Sequence, residues 1–482
     1  MRGQADGPGW DLLALPGLGR FLRWRHARSA LAVPLLLLAG LMVFDGLTGP
    51  QLAPKNLATV LVWIHYRGLV VVALLLVGNL FCLACPFMLV RNVVRRFVRP
   101  ARLFPRRLRT KWLAVGLFAA LLFAYELFDL WASPRGTAWL IVGYFAGAVA
   151  VDAAFRGASF CKYLCPLGQF NFLSSTLSPL EVGIRRPEPC AECATKPCIT
   201  GKPVPGGPPS ADQTAHCQLW LFQPQKVGNL DCTFCLDCLH ACPYDNVGLT
   251  PRLPAETLAL DGPRSSLGRL SRRPDLAALA VVFTFGALLN AFAMVSPVYA
   301  LEEWLAGVLG TGSELPVLAL IFLGGLAGLP ALLLGLAGWL SQPAGGTGLI
   351  SWITRFAYAL LPLGFGIWLA HYSFHFLTGF WTFVPVVQSF VSDLAGTPLL
   401  GAPRWDLAAL LPAAWLNPLE LGFLGLGWFG SLLVAYRIAE REAPERPWRA
   451  FVPWAVLLTL LLIAGIWLMG QPMEMRGTFM AG

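Results

Sequence analysis

Residues 64–88 read IHYRGLVVVALLLVGNLFCLACPFM and join a long apolar run to two cysteines and a proline. A run of about 20 apolar residues forms a helix long enough to cross the hydrocarbon core of a bilayer, which is roughly 30 Å thick. Cys82 and Cys85 stand at the end of this run. The stretch therefore predicts a membrane-spanning helix with a pair of thiols at one end.

Similar apolar runs recur along the 482 residues, of which 56% are hydrophobic and only 13% charged. The mean hydropathy is +0.62, and such a composition argues against a water-soluble globule. Nine spans are predicted, at 29–48, 64–88, 112–131, 137–155, 276–297, 315–340, 357–381, 418–437 and 450–470. The predicted fold class is an all-α polytopic membrane protein of about nine transmembrane helices, in which lipid is the main solvent.

Basic residues flank the apolar runs and set the predicted orientation, because short cytoplasmic loops are enriched in Lys and Arg. The basic residues before the first span and between the second and third are Arg20, Arg23, Arg25, Arg28, Arg91, Arg95, Arg96, Arg99, Arg102, Arg106, Arg107, Arg109 and Lys111. Both segments are predicted to be cytoplasmic, and by parity so are residues 156–275 and 437–449. The net charge of +10 is therefore a topology signal, and nucleic acid is not a predicted partner.

This topology predicts a multi-pass protein of the bacterial cytoplasmic (inner) membrane. Its predicted segments are a cytoplasmic N-terminus at 1–28, a four-helix membrane domain at 29–168, a cytoplasmic cysteine-rich domain at 187–262, a five-helix membrane domain at 276–470 and an outer tail at 471–482. The domain at 187–262 contains many Pro and Gly residues and has no apolar run long enough to span.

A motif at the end of the second span is repeated at the end of the fourth. Phe-Cys-Leu-Ala-Cys-Pro occupies 81–86, and Phe-Cys-Lys-Tyr-Leu-Cys-Pro occupies 160–166, which indicates a duplicated two-helix unit. The four thiols of the two motifs are predicted to meet and bind a metal centre: Cys82, Cys85, Cys161 and Cys165. Reducible dithiol pairs and inert buried thiols are the alternatives, while a stable disulfide is disfavoured in a reducing compartment.

The remaining eight cysteines have the spacing of iron–sulfur ligands. The run Cys232-x2-Cys235-x2-Cys238-x3-Cys242, followed by proline, is typical of [4Fe–4S] loops, and in two-cluster ferredoxins the fourth cysteine binds the neighbouring cluster. A structural zinc site is the alternative, but zinc ligands usually form two separated pairs.

Upstream cysteines complete two sets of four, so two [4Fe–4S] clusters and a small inserted ferredoxin-like cytoplasmic domain are predicted. Crossed pairing gives one set of Cys190, Cys193, Cys198 and Cys242 and a second set of Cys217, Cys232, Cys235 and Cys238. An uncrossed pairing remains open.

Ionisable residues inside predicted spans are candidates for function because they are unfavourable in lipid. His65 and Arg67 are predicted near the outer end of span two, and Glu126 and Asp129 near that of span three. A quinol releases two protons with its two electrons, so this group is a predicted quinol site. The alternative is that Arg67 pairs with a carboxylate and fixes helix packing.

Two histidines, His371 and His375, are four residues apart on span seven and share one helix face. They are candidates for joint metal ligation or for axial ligation of a b-type haem, with His65 as the other intramembrane histidine. Hydrogen-bonded packing between helices is the alternative. Met473 and Met475 add a thioether signal for copper.

The paired Phe-Cys…Cys-Pro motifs followed by a two-cluster segment resemble the membrane polyferredoxins of the NapH, NosR and CcoG type. The likeness covers roughly residues 57–250 and includes all twelve cysteines. It implies electron transfer from the quinol pool or a cytoplasmic donor to a respiratory redox partner, with a quinol-dehydrogenase-like redox component as one form of this activity. The alternative is a redox-dependent factor that handles metal for assembly of a respiratory oxidase or reductase. The five spans that follow the clusters depart from the NapH-like pattern.

Overall fold

A computed structural model describes residues 10–98, 100–201, 216–343 and 348–472. These residues are mostly helical with little sheet, and among them eight helices are long and apolar enough to cross a membrane. The chain is thus a multi-pass membrane protein. The eight helices are Ala27–Thr48, Leu57–Val77, Pro134–Ala154, Pro274–Phe292, Glu314–Ser341, Leu349–Thr378, Ala413–Glu442 and Pro447–Met469. Arg99, Met473 and Met475 lie outside the described residues.

Shorter helices account for most of the remaining regular structure. The predicted span at 112–131 forms the apolar helix Trp112–Leu127, whose 16 residues extend about 24 Å and fall short of the roughly 30 Å core. The other helices of eight or more residues are Pro16–Arg23, Pro86–Val94, Pro166–Ser174, Ser296–Leu309 and Phe383–Ala395.

The second predicted span differs from the structure at both ends. The helix begins at Leu57 and ends at Val77, because Gly78 adopts a left-handed conformation with a φ of 76° that an α-helix does not tolerate. Short helices follow at Leu80–Leu83 and Pro86–Val94. His65 and Arg67 therefore lie near the middle of this helix and not near its end as predicted.

The chain divides into two compact units. The first, here called the cysteine unit, comprises the described residues of 1–37, 73–110 and 144–270, and the second, the helical unit, comprises those of 38–72, 111–143 and 271–482. All twelve cysteines belong to the cysteine unit. It also contains an antiparallel pair of strands, β1 at Leu180–Ile184 and β2 at Val247–Pro251. Since β1 precedes residue 187, the folded segment around the cysteines begins before the predicted domain boundary.

Glycines allow two helices of the helical unit to pack at backbone distance. A Cβ added at Gly427, in the helix Ala413–Glu442, would lie 2.7 Å from Pro362 O and 3.2 Å from Gly366 Cα, on the helix Leu349–Thr378. Small residues at such contacts are the main means by which helices associate tightly in lipid, where the hydrophobic effect does not drive association.

We expect Gly427→Leu to destabilise the helical unit by about 1–3 kcal/mol, because the added side chain overpacks this contact. Gly425→Leu is the matched control, since Gly425 is on the same helix and has no neighbouring atom within 4 Å of an added Cβ. Thermal unfolding of the purified protein in detergent measures both. Equal unfolding temperatures for the two variants would contradict the close packing.

Candidate cysteine-lined metal site

The two repeated motifs share one local structure. In each, a left-handed glycine stands four residues before the first cysteine, Gly78 with a φ of 76° and Gly157 with a φ of 75°. The second cysteine of each motif, Cys85 or Cys165, is the N-cap of the next helix, and a proline follows at the first helical position. Proline is favoured there because its missing N–H has no partner in a helix anyway. The duplication inferred from sequence therefore extends to the backbone conformation.

The four thiols of the two motifs come together, and we call them the membrane-end set. The Cys165 thiol lies within electrostatic range of Cys82 and Cys85, and Cys161 lies in range of Cys85 and Cys165. Backbone N–H groups of the following helix donate to Cys165 Sγ, that of Gly168 at 3.2 Å. Hydrogen bonds from such donors are common at the sulfur ligands of metal centres.

An amide and a thioether also contact thiols of this set. Asn171 donates from Nδ2 to Cys82 Sγ at 3.4 Å. The thioether sulfur of Met88 lies 3.4 Å from Cys161 Sγ. The set therefore has an amide donor at one thiol and a thioether at another.

The remaining eight thiols divide as the crossed pairing predicts. Cys198 lies within electrostatic range of Cys190, Cys193 and Cys242, and these four form set one. Set two is defined by the Cys238 thiol, whose neighbours are Cys217, Cys232 and Cys235, and these four thiols line one cavity. A backbone hydrogen bond of 2.8 Å, from Cys217 N to Cys198 O, joins the two sets.

The loop that carries set two is backbone-strained. Asp231, Phe234 and Leu236 adopt left-handed conformations with φ of 60°, 53° and 59°, which for residues other than glycine costs about 1–3 kcal/mol each. Strain of this kind persists where the surroundings enforce it, and it concentrates at functional sites. The tight curl brings the thiols of Cys232 and Cys235 toward Cys238.

Burial disfavours the thiolate forms in both sets. It raises the pKa of the Cys217 thiol to about 11, and it also raises the pKa of Cys190 and Cys198. Lys226 acts in the opposite direction on Cys232, whose pKa is still raised overall by burial. A buried thiol becomes a thiolate only with a compensating positive charge, such as that of a bound metal.

A buried carboxylate supports Lys226 next to set two. Burial alone would raise the pKa of Glu181, but the cations of Lys226 and Arg252 outweigh it and hold that pKa below its ordinary value. Glu181 Oε1 accepts hydrogen bonds from Lys226 Nζ at 3.3 Å and from Gly228 N at 2.9 Å. The carboxylate ties β1 to the segment that leads into Cys232.

Both left-handed glycines contact loops that carry cysteines of set two. A Cβ at Gly78 would lie 2.6 Å from the ring of Phe234, between Cys232 and Cys235. A Cβ at Gly157 would lie 2.7 Å from Gln218 O, next to Cys217. The two loops that carry cysteines of set two therefore pack directly against Gly78 and Gly157, just before the repeated motifs.

The helical unit contains the residues predicted as a quinol site, but it does not bring all of them together. Arg67 is enclosed by the rings of Trp63, Tyr125 and Tyr372, with its guanidinium carbon 4.3, 4.3 and 4.9 Å from their centroids. Its Nη1 donates to Tyr125 Oη at 3.2 Å, and Glu126 lies within electrostatic range.

His65 and Asp129 have other surroundings. The ring nitrogens of His65 lie 3.1 Å from Val60 O and 2.9 Å from Phe380 O, and a neutral imidazole can donate to only one of these carbonyls. Asp129 occupies the turn after the helix Trp112–Leu127, with a left-handed φ of 42°. The structure thus gathers Arg67 and Glu126, and it directs His65 to backbone carbonyls.

His371 and His375 face each other, with 3.1 Å between their Nε2 atoms. Both are buried, and His371 Nδ1 has no hydrogen-bond partner. Arg67 lies within electrostatic range of both rings. Sequence reasoning treated this pair and the Arg67 group separately, whereas the fold makes them one polar cluster.

Across the described ranges, no three His, Cys, Asp or Glu side chains converge as the ligands of a single metal ion. In a mononuclear zinc site each sulfur lies about 2.3 Å from the metal, so its thiols crowd together, whereas a four-iron cube holds its thiolates farther apart. Four thiols per set, some of them buried and some supplied with N–H donors, equal in number the ligands of a [4Fe–4S] cluster.

The residues that sequence reasoning missed are glycines and asparagines beside the cysteines. Gly78 and Gly157 had a detectable signal, since each stands four residues before a repeated Cys-Pro motif. Asn171 and Asn246 had none, because an amide donor to sulfur has no fixed spacing from its cysteine. Asn246 donates from Nδ2 to Cys190 Sγ at 3.3 Å and from its backbone N to Cys242 Sγ at 3.4 Å.

We expect Gly78→Val to displace the loop between Cys232 and Cys235, because a valine is strained at this positive φ and its side chain collides with Phe234. Labelling of the native full-length protein with a maleimide, mapped by mass spectrometry, should then modify Cys232 and Cys235 at least several-fold faster than in wild type. Gly116→Val is the control, since an added Cβ there meets nothing within 4 Å. Unchanged labelling in Gly78→Val would contradict the packing of this loop against Gly78.

Comparison of the chain with protein-family models, with curated proteins and with solved structures finds no match in any of the three. The resemblance to the membrane polyferredoxins therefore stays a prediction from the cysteine motifs. The function inferred for this chain rests on the arrangement of its own residues.

Proposed function

We propose that this membrane protein transfers electrons through metal centres held by its cysteines, between the quinol pool or a cytoplasmic donor and a respiratory redox partner. The supporting observation is that the twelve thiols form three sets of four within one compact unit. We assign set one and set two to two [4Fe–4S] clusters in a ferredoxin-like domain. The membrane-end set is assigned to a third metal centre, and membership of the membrane polyferredoxins is part of the proposal.

Bound clusters would supply one-electron chemistry, and the chain supplies ligands, hydrogen bonds and exclusion of water. Asn246 donates to sulfurs of set one, and Leu221 N donates to Cys217 Sγ of set two at 3.3 Å. Such donors stabilise negative charge on sulfur and raise the reduction potential of the centre. Cys217, Cys232 and Cys238 are buried, so water is largely kept from set two.

The proposal assigns the cysteine unit to the cytoplasmic side of a bacterial inner membrane. The support is the arginine-rich character of the segments before the first span and between the second and third, which follows the positive-inside rule. Set one would be the contact point for a soluble donor, because Cys190, Cys193, Cys198 and Cys242 are all partly exposed.

A quinol is the proposed membrane-soluble partner, and the cluster around Arg67 is its proposed site. Quinol oxidation requires acceptors for two protons, and Glu126, His371 and His375 all lie within electrostatic range of Arg67. Ionisable groups among transmembrane helices are energetically costly and are therefore candidates for functional sites. Tyr125 orients the guanidinium through its hydrogen bond.

The crossed pairing of the cysteine ligands gives a direct test of the proposed two-cluster electron transfer. We expect Cys242→Ser to remove the same EPR signal as Cys193→Ser, and Cys217→Ser to remove the same signal as Cys235→Ser, each with loss of about four irons per chain. Anaerobic purification followed by iron, acid-labile sulfide and EPR analysis measures this.

Two outcomes would contradict the assignment. Wild-type protein that contains no iron or acid-labile sulfide when prepared without oxygen would remove the clusters altogether. Loss of the Cys235 signal in Cys242→Ser would instead establish the uncrossed pairing and contradict the sets described above.

A second candidate function is metal handling for assembly of a respiratory oxidase or reductase. The observation that favours it is the Met88 thioether beside Cys161, because thiolate and thioether sulfurs together select copper(I). We expect Met88→Leu to weaken copper(I) binding about tenfold or more in competition with a chromophoric chelator, with cluster iron unchanged. Equal copper(I) affinity in wild type and Met88→Leu would contradict this second candidate and leave electron transfer as the function supported.

A further inference from the structure

A buried carboxyl group stands in the helix Ala413–Glu442, apart from the residues assigned to the proposed function. Glu420 is 4% exposed, and its Oε1 is buried without a hydrogen-bond partner. Glu442, at the other end of the same helix, pairs with Arg355 at 3.0 Å, whereas no ion pair among the described residues includes Glu420. An ionisable side chain within a transmembrane helix is energetically costly and is therefore a candidate for a functional site.

The helix that carries Glu420 runs antiparallel to the helix that carries the histidine pair. Leu363 N, on the second helix, donates to Ser431 Oγ, on the first, at 2.9 Å. Three residues after Leu363, a Cβ added at Gly366 would lie 2.7 Å from Phe423 O. The contact thus moves forward along one helix while it moves back along the other.

This packing brings Ser373 to the level of Glu420. Gly366 and Gly427 meet at backbone distance, with 3.2 Å between Gly366 Cα and a Cβ added at Gly427. Ser373 lies seven residues after Gly366, and Glu420 lies seven residues before Gly427. Seven residues make about two helical turns, or about 10 Å, and return to the same face of a helix. The two side chains therefore face the same contact between the helices at the same depth.

The hydroxyl oxygen of Ser373 is also buried without a hydrogen-bond partner. Buried polar groups are usually hydrogen-bonded, and each exception requires an explanation. The two segments stay adjacent just beyond this level, where Leu410 N donates to Leu377 O at 2.8 Å. Ser373 is two residues from both His371 and His375, which is about 200° of rotation, so it points to the opposite side of the helix from the histidine pair. The carboxyl and the hydroxyl thus form a separate polar site.

The chemistry of the two groups favours a proton as the ligand of this site. A protonated carboxyl group has one O–H donor and further acceptor capacity, and a hydroxyl has both, so neutral Glu420 and Ser373 can satisfy each other directly or through one water molecule. An unpaired carboxylate in such surroundings is strongly unfavourable. Calcium and magnesium ions take about six or more oxygen ligands, whereas in the described part of the chain no three His, Cys, Asp or Glu side chains converge.

We propose that Glu420 is a proton-binding site of the helical unit, in which Ser373 holds the neutral acid by a hydrogen bond. In the step, the carboxylate takes a proton from a hydronium ion and leaves water, so that one O–H bond forms, one breaks and no electron moves. The way to water is short, since Glu420 lies about 6 Å along the axis from Leu416, where the regular helix begins, and Asn417 is exposed. The site requires neither a metal centre nor a quinol.

Labelling of the wild-type protein with dicyclohexylcarbodiimide tests the proposal, because this apolar reagent modifies protonated carboxyl groups in apolar surroundings. Mass spectrometry of the full-length protein in detergent at neutral pH should find Glu420 modified about tenfold faster or more than Glu442, because an unpaired buried carboxyl group is held neutral. Glu442 is the matched control, since it is on the same helix and its carboxylate pairs with Arg355.

Infrared spectra follow the proton itself. The difference between wild type and Glu420→Gln should contain the carbonyl band of a protonated carboxyl group, and Glu442→Gln should leave that band in place. The band should shift when H₂O is replaced by D₂O, because the bound proton exchanges with solvent. Ser373→Ala should move the band to higher frequency, because the carboxyl group loses its hydrogen bond.

Modification of Glu420 no faster than that of Glu442 would overturn the proposal, and this measurement needs no variant that has to fold. An infrared difference without the carbonyl band, or a band that D₂O leaves unshifted, would overturn it as well. An unchanged band in Ser373→Ala would remove the role given to Ser373. Protection of Glu420 from the reagent by sodium chloride but not by choline chloride would also contradict the proposal and indicate a metal cation as the ligand.

Discussion

The packing of two cysteine-bearing loops onto two left-handed glycines is the contact on which the cysteine unit depends. Gly78 accepts the ring of Phe234, and Gly157 accepts the backbone at Gln218. Any side chain at either glycine would occupy the volume of the loop and strain the backbone. Because the two glycines precede the two Cys-Pro motifs, they determine where the loops of set two lie relative to the membrane-end set.

Six of the twelve thiols in this unit are buried, and burial raises the pKa values of Cys217, Cys232 and Cys238. Neutral thiols would be inert in such surroundings. The left-handed residues in the loop of set two and the buried oxygen of Asn79 add further unfavourable terms. Under the proposed function, metal binding would contribute to stability, since binding deprotonates the thiols and couples metal affinity to folding.

The helical unit concentrates its polar groups in one place. Arg67 is enclosed by three aromatic rings, which stabilise the cation where water is scarce. Close glycine contacts between the helices Leu349–Thr378 and Ala413–Glu442 bring backbones together, and the histidine pair lies on the first of these helices. Ionisable residues within transmembrane segments usually face the interior of the helix bundle and are candidates for functional sites.

Apolar run length by itself determined the multi-pass class and the approximate position of the long helices, because crossing the bilayer imposes a minimum length that local sequence reveals. Cysteine spacing likewise determined which residues are candidate ligands. Only the tertiary structure decided that Cys242 lies with set one, that the helix after Leu57 stops at Gly78, and that His65 faces carbonyls while Arg67 meets the histidine pair. These outcomes depend on contacts between segments far apart in the chain, and neither residue spacing nor hydropathy encodes which loop packs against which helix end.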